Sequence, residues 1–163
     1  MKTINWKVSM LCFWAAYTIV FAMCTGHTIF NGIVFDMFSV GYYSQDGQLV
    51  RSMQYYHAYA KSAPFWPLYC LIIWPLFSLL YFRRTKTEKN QWKTALFLGL
   101  CWSIIMAIFD LIAWVLIRHP YAKTFKDYYI DSQPWITIVY LVIIISPIIG
   151  MFFHREDTRC HVS

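Results

Sequence analysis

The chain has 163 residues, of which 59% are hydrophobic and only 13% charged; a water-soluble domain carries about 25% charged residues, so a soluble globule is excluded as a class. The formal net charge of +6 does not mark a nucleic-acid binder, because the positive charge collects beside apolar segments, as the positive-inside rule expects. No stretch is left over for a separate aqueous domain.

Four apolar segments each approach the ~20 residues that a membrane-crossing helix needs. The first runs from Val8 to Gly32, the second from Phe65 to Phe82, the third from Thr94 to Ile117 and the fourth from Trp135 to Phe153. None alternates polar and apolar residues as a barrel wall must. The expected fold class is therefore all-α: a polytopic membrane protein forming one four-helix domain over residues 1–163.

The opening MKTINWKVSMLCFWAAY has the basic start of a signal peptide. Its apolar run continues past a typical h-region of about 7–15 residues and no A-x-A-like site closes it, so it reads as a retained first helix. Lys2 and Lys7 flank it. The strongest basic cluster, Arg83, Arg84, Lys86, Lys89 and Lys93, lies between spans two and three, and Arg155 and Arg159 follow span four. The two remaining loops are longer and poorer in Lys and Arg. Both termini are therefore expected in the cytoplasm, in the inner or plasma membrane of a bacterium.

In the first outer loop Leu49, Met53, Tyr56 and Ala60 fall on one helical face, and Arg51, Gln54 and Lys61 fall elsewhere. This spacing predicts an amphipathic helix over about 48–62 at the membrane surface. Pro64 and Pro67 suit a helix start. Pro75 and Pro147 fall mid-span and predict kinks. In the second outer loop Tyr121, Tyr128, Tyr129 and Trp135 are expected as interfacial anchors. Cys12, Cys24, Cys70, Cys101 and Cys160 form no CxxC pair and read as small apolar residues.

The polar residues at membrane depth are where chemistry is expected, since such residues are costly and need partners or a task. They are His27 and Asn31, in the stretch CTGHTIFNGIVFD, and Asp110 on the third span. Counting from Val8 puts His27 near the outer edge of the hydrocarbon, Asn31 among the headgroups and Asp36 beyond them. Asp110, seven residues before Ile117, lies about 10 Å below the outer boundary. Cys24, His27 or Thr28, and Asn31 share one face of the first helix, and Ser103, Asp110 and Trp114 share a broad face of the third. The expectation is that these faces meet, with Asp110 paired to His27 or Asn31. Such a pair either bolts two helices together or forms a binding site for a ligand, ion or proton. No HExxH, GxSxG or Walker loop is present, and neither a metal nor a cofactor is expected.

Tyr59-Ala60-Lys61-Ser62-Ala63-Pro64 resembles the Tyr-x-Lys-Thr-Ala-Pro segment of the immunity proteins against pore-forming colicins of the A and B type. That resemblance implies a four-helix inner-membrane protein with both termini inside, which protects its cell by engaging the helical pore domain of a toxin within the membrane. The polar N-terminal tail and second outer loop of that family have no counterpart here. The leading functional expectation is a non-enzymatic membrane protein that works by helix contacts with a membrane partner or toxin. The alternatives are a small-solute or ion transporter or channel component built on His27, Asn31 and Asp110, acting as a homo-oligomer, and a membrane enzyme or assembly factor. The lipid bilayer is the partner common to all three.

Overall fold

The computed structural model describes residues 4–34, 42–43, 49–50, 53–85, 91–117 and 124–160. Five α-helices account for most of them: α1 (Trp6–Val34), α2 (Met53–Ser62), α3 (Trp66–Thr85), α4 (Gln91–Asp110) and α5 (Trp135–Cys160). A two-residue antiparallel pairing joins β1 (Tyr42–Tyr43) to β2 (Leu49–Val50). Asp36, expected beyond the membrane, and residues 86–90 of the basic loop lie outside the described residues.

Four helical stretches are long and apolar enough to cross a membrane: Trp6–Val34, Ala58–Thr85, Gln91–Leu116 and Trp135–Arg155. Only 28% of the apolar window of the first, and 39% of each of the others, is buried inside the bundle. Most of each surface therefore turns large apolar side chains outward, among them Leu11, Phe30, Ile72, Leu116 and Phe153. Water does not tolerate a shell of this extent, whereas lipid does. This is a multi-pass membrane protein of four spans.

A helix does form in the first outer loop, and it is continuous with the second span. Ser62 and Trp66 both hold helical backbone angles, and a single 3₁₀ turn, Ala63–Phe65, links α2 to α3. Pro64 and Pro67 sit in this junction, where the missing N–H groups cost least. The second span thus starts near Ala58, earlier than Phe65. Ala58 and Ser62 are buried, and α2 packs on α1.

The α5 helix is central, lying against both α3 and α4, while α1 joins the bundle mainly through α3 and α2. Two glycines set these close approaches. A Cβ on Gly150 of α5 would lie 2.6 Å from Ser78 Cβ and 2.9 Å from the Pro75 carbonyl oxygen of α3. A Cβ on Gly99 of α4 would run into the Ile144 carbonyl of α5. With little hydrophobic drive between helices in lipid, such close packing is what associates them. The prolines expected to kink their spans do lie inside α3 and α5. Hydroxyls beside them donate to carbonyls one turn back: Ser78 Oγ to Trp74 O at 2.8 Å and Ser146 Oγ to Val142 O at 2.6 Å. With no water at this depth, the hydroxyls find their acceptors on their own helix.

The α1 and α4 helices run in the same direction and meet through side chains rather than close backbones. Trp102 Nε1 donates to Ser9 Oγ at 3.0 Å, and Trp6 and Phe97, and Trp14 and Phe109, form edge-on ring pairs. Phe13, Trp74 and Trp102, all fully buried, fill the half of the bundle nearer the termini with mutual ring distances of 5.4–6.5 Å.

The glycine contacts predict a graded outcome. Gly99→Val and Gly150→Val should each lower stability in detergent by more than the ~1–3 kcal/mol of ordinary overpacking, because backbone rather than a flexible side chain is met. Gly26→Ala, with nothing within 4 Å of the added Cβ, should be neutral or stabilising. Thermal aggregation of the three purified variants measures the difference.

Candidate functional site

Asp110 is 1% exposed, in the bundle half away from the Arg83–Arg84 end of α3. Three phenols from three different parts of the chain converge on it. Tyr17 of α1 donates to Oδ1 at 3.4 Å, and Tyr140 of α5 donates to Oδ2 at 3.1 Å. Tyr128, from the segment before α5, is the third donor. A carboxylate accepts hydrogen bonds and donates none, so the three phenols serve as its donors in place of water. Among the described residues no Lys, Arg or His faces it.

The segment carrying Tyr128 is folded back on the bundle. Its hydrogen bonds run from Tyr129 Oη to Ala107 O at 3.1 Å, from Ser132 Oγ to Asp127 O at 2.9 Å, and from the backbone N–H of Asp127 to Thr124 Oγ1 at 3.1 Å. Lys126 and Asp131 close an exposed ion pair at 2.8 Å. Tyr128, expected from the sequence as an interfacial anchor, is instead buried. That burial, followed by the negative charge of Asp110, holds its phenol well above the usual tyrosine range. It therefore stays protonated and keeps donating.

The expected pairing of Asp110 with His27 or Asn31 is not what the structure contains. His27 Nδ1 lies 2.7 Å from Tyr69 Oη of α3, with Phe65 edge-on to its ring at 4.7 Å. Asn31 is buried and its Nδ2 donates to Ser62 Oγ at 2.9 Å, while Ser62 donates to Ala58 O. His27 and Asn31 thus tie α1 to α2 and α3, and Asp110 ties α1 to α4 through Tyr17. The cause is the offset between the two parallel helices. Ser9 meets Trp102 and Tyr17 meets Asp110, a separation of 93 positions in both cases. Val8 is therefore level with Cys101. The third span begins below the first, and His27 lies ten residues, or about 15 Å, past the level of Asp110.

Between Asp110 and the far end of α1 lies a cavity of about 340 Å³. Tyr17, Phe21, Cys24 and Thr28 of α1 form one wall, Tyr59 and Trp66 another, and Asp110, Tyr128 and Val139 line it from the other side. Directly after Asp110 the α4 helix widens into π-helical turns, Leu111–Leu116. Such turns shift the face that a helix presents, and these carry Trp114 to the rim, where it meets Phe21 at 5.8 Å. Phe21, Thr25 and Ile29, also lining the cavity, are exposed, so it opens sideways along α1 towards the surrounding lipid. The indole Nε1 of Trp66 is buried in this lining without a hydrogen-bond partner.

Tyr17 and Tyr140 were legible in one respect only. Each falls well inside an apolar run, away from the interfacial ends where tyrosine is usual, and an interior phenol needs an acceptor. Among the described residues no group of three His, Cys, Asp or Glu gathers to hold a metal ion. Compared with protein-family models, curated proteins and solved structures, the chain matches none.

Double-mutant cycles separate the observed contacts from the expected one. Asp110→Asn combined with Tyr140→Phe, or with Tyr17→Phe, should show coupling of about 0.6–1.7 kcal/mol in detergent or bicelles. Asp110→Asn combined with His27→Ala should be additive within about 0.5 kcal/mol.

Proposed function

We propose that this membrane protein works by binding a partner within the outer half of the bilayer, at the groove between α1 and α4, and not by passing a solute through the bundle. The observation that carries this reading is the asymmetry of the interior. The half containing Asp110 has a cavity of about 340 Å³ open beside α1. The half nearer the termini is filled by Phe13, Trp74, Trp102 and Leu98, each fully buried. A conduit needs polar lining at both ends, whereas a binding groove needs one open end and a firm floor. The cavity is also in the usual size range of ligand sites, about 300–1,000 Å³.

The resemblance of Tyr59–Pro64 to colicin immunity proteins makes the helical pore domain of such a toxin the first macromolecular partner to test. Two residues of that stretch have structural neighbours that suit this role: Tyr59 lines the groove, and Ser62 holds Asn31 of α1. The stretch therefore both shapes the groove and positions the helix that forms one side of it.

A photo-crosslinking residue at Phe21 or Ile29, on the groove, should capture a membrane partner in cells. The same residue at Ile104, exposed on α4 but outside the groove, should not. Equal capture at all three positions would remove the groove as the contact surface. Bacteria expressing the chain should survive a pore-forming colicin of the A or B type at doses that kill cells without it; full sensitivity would remove the toxin as the partner while leaving the groove reading in place.

A further inference from the structure

We infer that the groove takes a membrane-soluble organic ammonium ion, its positive centre held over aromatic faces beside Asp110 and its apolar body lying between α1 and α4. The inference rests on the groove being the binding site and adds the chemistry of the occupant.

Three observations converge on it. The first is charge. Three phenols satisfy the hydrogen-bonding capacity of Asp110 without cancelling its charge, and among the described residues no basic side chain faces it. A lone carboxylate at membrane depth is costly, and a bound cation would offset that cost. The second is the wall. Tyr17, Phe21, Trp66, Trp114 and Tyr128 line the same cavity as Asp110, and the faces of such rings attract ammonium groups, most strongly where water is excluded. Because the carboxylate is already occupied by O–H donors and is the one carboxylate among the described residues of this lining, the charge it lacks is better supplied by a bulky, weakly hydrated ammonium than by a hard metal ion, which favours several carboxylate and carbonyl oxygens. The third is the unpartnered Nε1 of Trp66, a buried donor in the same lining that an ether or carbonyl oxygen on the ligand would satisfy.

Depth narrows the source. Asp110 lies seven residues before Ile117, about 10 Å along the helix from its outer end. The headgroup of a lipid held at the interface does not descend that far. A small amphiphilic amine that partitions into the hydrocarbon does, and the groove opens towards it.

The test uses the full-length protein in nanodiscs of uncharged lipid, with tryptophan fluorescence as the readout, since Trp66 and Trp114 line the site. The probes are 4-phenylbutyl-trimethylammonium and its carbon isostere, in which a tert-butyl group replaces the trimethylammonium. The expected result is saturable quenching by the ammonium probe at a Kd at least tenfold below that of the isostere. Asp110→Asn should abolish this preference. Should Asp110→Asn fail to fold, Phe21→Leu and Trp114→Leu keep the groove apolar while removing ring faces, and should each weaken the ammonium probe several-fold and the isostere hardly at all. Equal affinity for both probes would overturn the charge selectivity and leave the groove standing. No saturable binding of either probe would overturn the inference and leave the groove's contact with a protein partner, which the crosslinks at Phe21 and Ile29 measure, standing. Unchanged selectivity in all the variants would also overturn it.

Discussion

A carboxylate buried among lipid-facing helices has to be satisfied without water, and the bundle is arranged around how Asp110 meets that demand. Its partners come from α1, α5 and the segment before α5, so a single side chain on α4 gathers every part of the far half except α2 and α3. Each phenol supplies one O–H and brings an apolar ring with it. The carboxylate is thereby solvated by groups that also serve as walls. A lysine or arginine partner would have brought a compensating positive charge; tyrosines bring none.

The same shortage of water explains the backbone. Pro75 and Pro147 each remove a ladder donor, and hydroxyls close by turn back onto carbonyls one turn earlier, as do Thr18 on Trp14 and Thr28 on Cys24. The glycines act on the other term of the balance. Gly150 and Gly99 allow α5 to lie against α3 and α4 at backbone distance. α1 lies close against α3 and α2 but meets α4 only through large side chains. A helix held off one neighbour by side chains leaves space beside it, and the cavity is that space.

The two halves of the interior therefore have different jobs. Packed aromatics near the termini, with Trp102 bonded to Ser9, make a rigid floor. Above them α4 passes into π-helical turns and the chain folds Tyr128 back into the bundle, so the far half is shaped by irregular backbone. Irregular helix at membrane depth is tolerated where it lines a cavity, and Trp114 and Tyr128 line this one.

Four spans, their helical type and the polar residues that matter could be read from residue order, because each depends on a local property: the length of an apolar run, the charge beside it, or the cost of a polar group in lipid. Asp110 was recognisable on that ground as a residue in need of partners, and Asn31 as one that would be paired. Which groups would answer them was not, since that depends on how far one helix slides along another. Runs of Val, Ile, Leu and Phe carry no marker of register; counting from their ends put His27 near the outer edge of the hydrocarbon and Asp110 about 10 Å below that edge, near enough to expect a pair, whereas the packing of Ser9 on Trp102 and of Tyr17 on Asp110 sets His27 ten residues past the level of Asp110. Tyr17 stands where His27 was expected. The cavity belongs to the tertiary structure for the same reason: it is the volume left when glycine contacts draw three helices together and ring contacts hold α1 off α4, a quantity no single segment contains.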